Sequence, residues 1–136
     1  KGLFLNEKCI AVADTNCATG VYGNFNKQYD TSSLKSMPIG ESAQPGKASI
    51  YTTIDGVTPK EYSVSIVKVD GGNKQNKNYV LKITDKGLLD ATGGIVQGMS
   101  GSPIVQNGKL VGAVTHVFLN DPTRGYGISI GNMLGK

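Results

Sequence analysis

Late in the chain, the two residues Asn107-Gly108 stand between the apolar run of residues 102–106 and the longer run of residues 109–119. A two-residue Asn-Gly loop turns a chain straight back on itself, because both central positions must take positive φ and these two residues do so at least cost. The flanking runs are therefore paired antiparallel strands. The same pattern recurs upstream: Ala48, Ile50, Thr52 and Ile54 alternate with Ser49, Tyr51 and Thr53 before Asp55-Gly56, and Tyr62, Val64 and Ile66 alternate with Ser63 and Ser65. The phase then shifts to Val67 and Val69, which predicts a bulge or a strand crossing between layers. Tyr79, Leu81 and Ile83 mark another strand, ending at Asp85. Elsewhere the signal is weaker. Residues 3–13 are apolar with a polar interruption, residues 14–20 read as a turn into Val21-Tyr22-Gly23, and residues 24–46 read as a loop with short extended pieces. Residues 121–125 read as a turn, residues 126–130 as a last short strand, and Asn132 as the start of a terminal helix or tail.

Many short strands joined by turns, with nineteen glycines and no tryptophan in 136 residues, predict an all-β barrel or sandwich. The length suits one domain, residues 1–136, and is short for a two-barrel enzyme of about 200 residues. The net charge is +4, but thirteen of the fourteen basic residues are scattered lysines and Arg124 is the only arginine. Phosphate and base recognition favour clustered arginine, so a solvated lysine surface is expected and nucleic acid is not. Cys9 and Cys17 make one possible disulfide or two buried thiols; with a single histidine and no Cys-x-x-Cys there is no zinc pattern, and neither metal nor cofactor is expected. No apolar run approaches the roughly 18 residues of a membrane span and no leader opens the chain, so a soluble chain is expected.

The stretch Gly93-Gly-Ile-Val-Gln-Gly-Met-Ser-Gly-Ser-Pro-Ile-Val105 sets Ser100 among glycines, directly before the hairpin. A serine nucleophile needs a base, exposure, and donors aimed at the developing oxyanion. Glycines let the backbone bend tightly enough to turn the amides of Gly98 and Ser100 toward one point. By itself Gly-x-Ser-Gly is also an ordinary turn. Its continuation, Gly98-x-Ser-Gly-x-Pro-Ile-Val-x-x-Gly-x-Leu-Val-Gly-Ala-Val-Thr115 and on to Val117, resembles the nucleophile loop and following hairpin of trypsin-like serine proteases. That resemblance implies a trypsin-like (chymotrypsin-like) β-barrel, an oxyanion hole from the Gly98 and Ser100 amides, and substrate pairing along Thr115, His116 and Val117.

A closer match covers more of the chain. Ile83-Thr-Asp85, Leu88-Leu89, Gly93 to Pro103, Gly112-Ala-Val-Thr-His-Val-Phe118 and Asn120-Asp-Pro-Thr-Arg-Gly-Tyr-Gly127 resemble the stage IV sporulation protein B serine peptidase family. The resemblance implies Ser100 as nucleophile and Asp85 as catalytic acid. It also implies export to the space between the two membranes of the developing forespore, cleavage of a membrane-bound regulatory protein and of the enzyme itself, and a PDZ domain in the full-length protein. The family's histidine lies in an upstream Gly-His-Gly motif that this chain lacks, so an incomplete peptidase domain is expected. Three readings of that gap stand open: a base on a longer polypeptide, His116 as the base, or a catalytically inactive relative that binds peptides on the same fold.

His116 sits in an alternating run, where a hydrogen-bonded structural histidine or a pocket wall competes with a base. Asp85 precedes Lys86-Gly-Leu-Leu89 and reads equally as a turn or a helix N-cap, with Asp90 as a competing acid. Ser102 shapes the loop, Thr115 is either a partner of the acid or a plain strand threonine, and Arg124 decorates a turn. The expectation is a serine endopeptidase acting on protein or peptide substrates.

Overall fold

The computed structural model describes residues 9–72 and 75–135, so the reading of residues 3–8 lies outside the described residues. A two-stranded antiparallel hairpin, β1 (Ala11–Cys17) and β2 (Gly20–Phe25), precedes a closed barrel. The barrel strands are β3 (Gly46–Thr52), β4 (Lys60–Val69), β5 (Tyr79–Ile83), β6 (Pro103–Gln106), β7 (Lys109–Phe118) and β8 (Asp121–Ser129). They run in the order β3-β4-β5-β8-β7-β6, all antiparallel, with β6 returning to β3. Helix α1 (Lys86–Thr92) joins β5 to β6 and α2 (Ile130–Leu134) follows β8.

The period-2 pattern fills the barrel. Ile50, Val64, Ile66, Leu81, Ile83, Ile104, Val111 and Val114 are each at most 2% exposed, and burying one such side chain stabilises the fold by about 1.5–3 kcal/mol. Asn107 (φ 52°) and Gly108 (φ 72°) form the turn expected between β6 and β7, both with positive φ. The phase shift after Ile66 is a bulge, since the β4–β5 register slips between Ile66 and Lys68.

Two predicted turns are strands instead. Residues 14–17 belong to β1, with the turn at Ala18-Thr19. Asp14 and Asn16 are poor strand formers, but the Asp14 carboxylate accepts from Asn24 Nδ2 (2.6 Å) and Thr15 Oγ1 (2.8 Å), which holds it in register. Residues 121–125 belong to β8, because Arg124 and Gly125 pair with Lys82 and Leu81 while Gly125 also pairs with Val117. Pairing on both sides outweighs local turn preference. Helix α1 realises the N-cap reading of Asp85.

Candidate active site

The loop between α1 and β6 is fastened at intervals. Helix α1 ends at Gly93, whose amide donates to Leu89 O. Gly94 runs so close to β8 that a Cβ there would sit 2.2 Å from Pro122 O, and Ile95 N donates to that same oxygen at 2.8 Å. Ile95 and Met99 are buried and plug the loop into the core. Beyond them Ser102 N donates to Met99 O (3.0 Å), Gly101 N to Val114 O (2.8 Å) and Val114 N to Ser102 O (2.9 Å). These bonds, with Gly98 (φ 104°) and Gly101 (φ 91°) at the bends, leave Ser100 exposed at the crest. Its hydroxyl donates to Thr115 O at 3.0 Å. The amides of Gly98 and Ser100 meet no acceptor among the described residues, so both remain able to bind an anionic oxygen.

Ser100 opens onto a cleft of about 480 Å³ that also touches Thr115, His116, Asn76 and the β1–β2 turn. Thr115 Oγ1 donates to Asn76 O (2.8 Å), and Asn76 Nδ2 donates to Ala18 O (2.8 Å), which ties the turn across the cleft. His116 is exposed and stands edge-on to Tyr126, ring centroids 6.5 Å apart. The Ser100 hydroxyl bonds a carbonyl and not the imidazole, and His116 lies beside the Ser100 loop as a wall of the cleft. Strand β7 pairs with β6 only as far as Ala113, whereas its pairing with β8 continues through Phe118. On the β6 side, Thr115, His116 and Val117 therefore present an edge that no described strand covers.

Asp85 is elsewhere. Its Oδ1 accepts from Leu88 N (3.0 Å) and its Oδ2 from Ser63 N (3.1 Å), and these amides, Leu88 foremost, hold its pKa below the ordinary carboxylate range. The structure thus sets Ser100, Thr115 and His116 on one cleft, with Gly98 and Val117 on the same two segments, and holds Asp85 outside that cleft, against β4 through Ser63. Asp90 is exposed and paired with Lys86 (2.9 Å), and Arg124 with Asp121 (3.5 Å).

Asn76 and the β1–β2 turn are cleft residues that the sequence reading missed, since both fall in aperiodic polar stretches whose only signal is turn composition. Cys9 and Cys17 are exposed thiols, neither bridged nor buried. Among the described residues no three His, Cys, Asp or Glu side chains gather closely enough to hold a metal ion.

No curated protein matches the chain. The fold is similar to that of Rv3671c from M. tuberculosis H37Rv, crystallised as a serine-to-alanine mutant in an inactive form, with a TM-score of 0.62 and 13% identity. The match covers 92% of this chain and 62% of that one. At this identity the likeness speaks to the fold, a trypsin-like β-barrel. The family model of the SpoIVB peptidase S55 matches residues 1–134. The chain, with its glycine-set Ser100 and its barrel, belongs to the SpoIVB peptidase S55 family, a family of serine peptidases.

Proposed function

We propose that this chain carries the nucleophile, oxyanion donors and substrate strand of a serine endopeptidase. One observation carries the reading: an exposed Ser100 hydroxyl lies beside two amides without acceptors, next to an open strand edge. A substrate segment lying extended along Thr115, His116 and Val117 would bring its scissile carbonyl to Ser100 Oγ. The hydroxyl proton, now directed at Thr115 O, passes to a histidine on the upstream segment that the family resemblance implies, as Oγ bonds the carbonyl carbon. The carbonyl oxygen then becomes an oxyanion held by the Gly98 and Ser100 amides. One such donor is worth about 100- to 1,000-fold in rate. On collapse, the histidine gives its proton to the leaving amine and the acyl group stays on Ser100 until water releases it.

The finer assignments follow the family. The substrate is a membrane-associated regulatory protein of sporulation signalling, and the enzyme also cuts itself. It works after export, between the two membranes of the forespore, and the full-length protein includes a PDZ domain. The test is a fluorophosphonate probe applied to this chain and to the full-length protein. Labelling of the full-length protein, lost on Ser100→Ala, is expected; its absence in the full-length protein overturns the reading.

The absence of any bond from Ser100 Oγ to a base among the described residues favours a second reading. In it, the same strand edge binds peptides without cutting them. Peptide binding to an unlabelled full-length protein would establish it.

A further inference from the structure

We propose that a second groove, on the other side of the Ser100 loop from the first cleft, takes the substrate chain beyond the scissile bond, and that Leu34 and Met37 select a large apolar residue there. This deepens the serine endopeptidase reading and rests on it.

The loop divides two cavities. Ser100 and Gly101 face the cleft that holds Thr115 and His116, whereas Gly98, Ser102 and Pro103 face a separate groove of about 780 Å³. A scissile carbonyl with its oxygen between the Gly98 and Ser100 amides sits on the divide itself. On one side of that carbonyl the substrate lies along β7. On the other side it leaves past Gly98, into the groove.

The groove offers the departing chain a main-chain partner. Strand β3 pairs with β6 only at Ser49 and Ile50, while its pairing with β4 continues to Thr52↔Lys60. Tyr51 and Thr52, which line the groove, therefore present an edge that no described strand covers. An extended substrate meets an open strand edge on each side of Ser100.

Its walls choose the side chain. Val105 is buried and Leu110 half-buried along the groove, while Leu34 (48% exposed) and Met37 (38% exposed) line it with apolar surface still open to water. Covering that surface with another apolar side chain is favourable. Of the lining residues only Lys35 is charged, so a polar side chain gains little there. The segment carrying Leu34 and Met37 is fastened before any substrate arrives. Leu34 N donates to Thr31 O (3.0 Å), and directly after Met37 the chain is stapled to β7, with Leu110 N donating to Pro38 O and Gly40 N to Leu110 O, both at 2.9 Å. Successive side chains of an extended chain point to opposite faces. One of the first two residues after the scissile bond therefore directs its side chain into the groove.

The test digests a random peptide library with the full-length protein and reads the new amino termini by mass spectrometry. One of their first two positions is expected to be enriched about tenfold in leucine, isoleucine, methionine and phenylalanine, within the usual discrimination of an apolar pocket. The double variant Leu34→Ala with Met37→Ala should lower, about tenfold, the ratio of cleavage rates for matched peptides with leucine or glycine at that position. A general loss of activity does not move that ratio. Met37→Glu should shift the enrichment toward lysine and arginine. Termini without apolar enrichment overturn the proposal, as does an unchanged leucine-to-glycine ratio in the double variant. Met37 protected from peroxide oxidation in the full-length protein without peptide would show the protein's own chain filling the groove, and would overturn it too. A protein that cuts nothing in the library also overturns it, and fluorophosphonate labelling then decides whether the nucleophile reading falls as well.

Discussion

The two ends of the segment from Asp85 to Ser102 handle polar groups in opposite ways. At the Asp85 end, each carboxylate oxygen receives an amide from α1 or β4, and the helix is pinned by a fully buried leucine. At the Ser100 end, the loop leaves the Gly98 and Ser100 amides without acceptors and exposes a hydroxyl beside the part of β7 that no longer pairs with β6. Donors consumed internally hold a shape. Donors left over are available to something that arrives.

The sharpest break in this contrast is Ser100→Ala. It should abolish fluorophosphonate labelling of the full-length protein and leave the melting temperature within about 2 °C, since an exposed hydroxyl with one carbonyl partner adds little to stability. Gly94→Ala strikes the segment that joins the two ends. A Cβ 2.2 Å from Pro122 O at φ 136° cannot be absorbed by a side chain, and a loss of about 3 kcal/mol in urea unfolding is expected. Asp85→Ala should cost about 1 kcal/mol, the usual worth of an N-cap. Because its folded pKa is lowered, the stability Asp85 contributes is full above the unfolded value near pH 4 and disappears as pH falls through the folded value. The gap in unfolding free energy between wild type and Asp85→Ala should therefore narrow as pH is lowered from 7 below the unfolded value. Least of all, His116→Ala should keep labelling within a few-fold; complete loss would make His116 the base.

The barrel was legible because its strands alternate cleanly. Ile50, Tyr62, Val64, Leu81 and Ile83 sit on the faces their spacing predicts, and Asn107-Gly108 turns as such a pair must. The loop bearing Ser100 was legible through a motif and not through periodicity. What sequence reading lost was decided by partners far away in the chain. Residues 121–125 carry a turn's composition, yet pairing with β5 and β7 makes them a strand. Asn76 enters the cleft through bonds to Thr115 and Ala18, residues dozens of positions away. Asp85 was the ambiguous case, since the same Asp-Lys-Gly-Leu-Leu spelling suits a cap and a catalytic acid, and the cap shows only in its bonds to Leu88 and Ser63.

The overhang of β7 past Ala113 has a consequence for turnover. A segment laid extended on that edge, as proposed, would be held through main-chain groups that any sequence possesses. Folded segments keep those groups for themselves. A protease that read its substrate in the proposed way would respond first to whether a partner has come loose and only then to its side chains. In the proposed reaction, a cut at Ser100 would leave each product only part of that edge to hold.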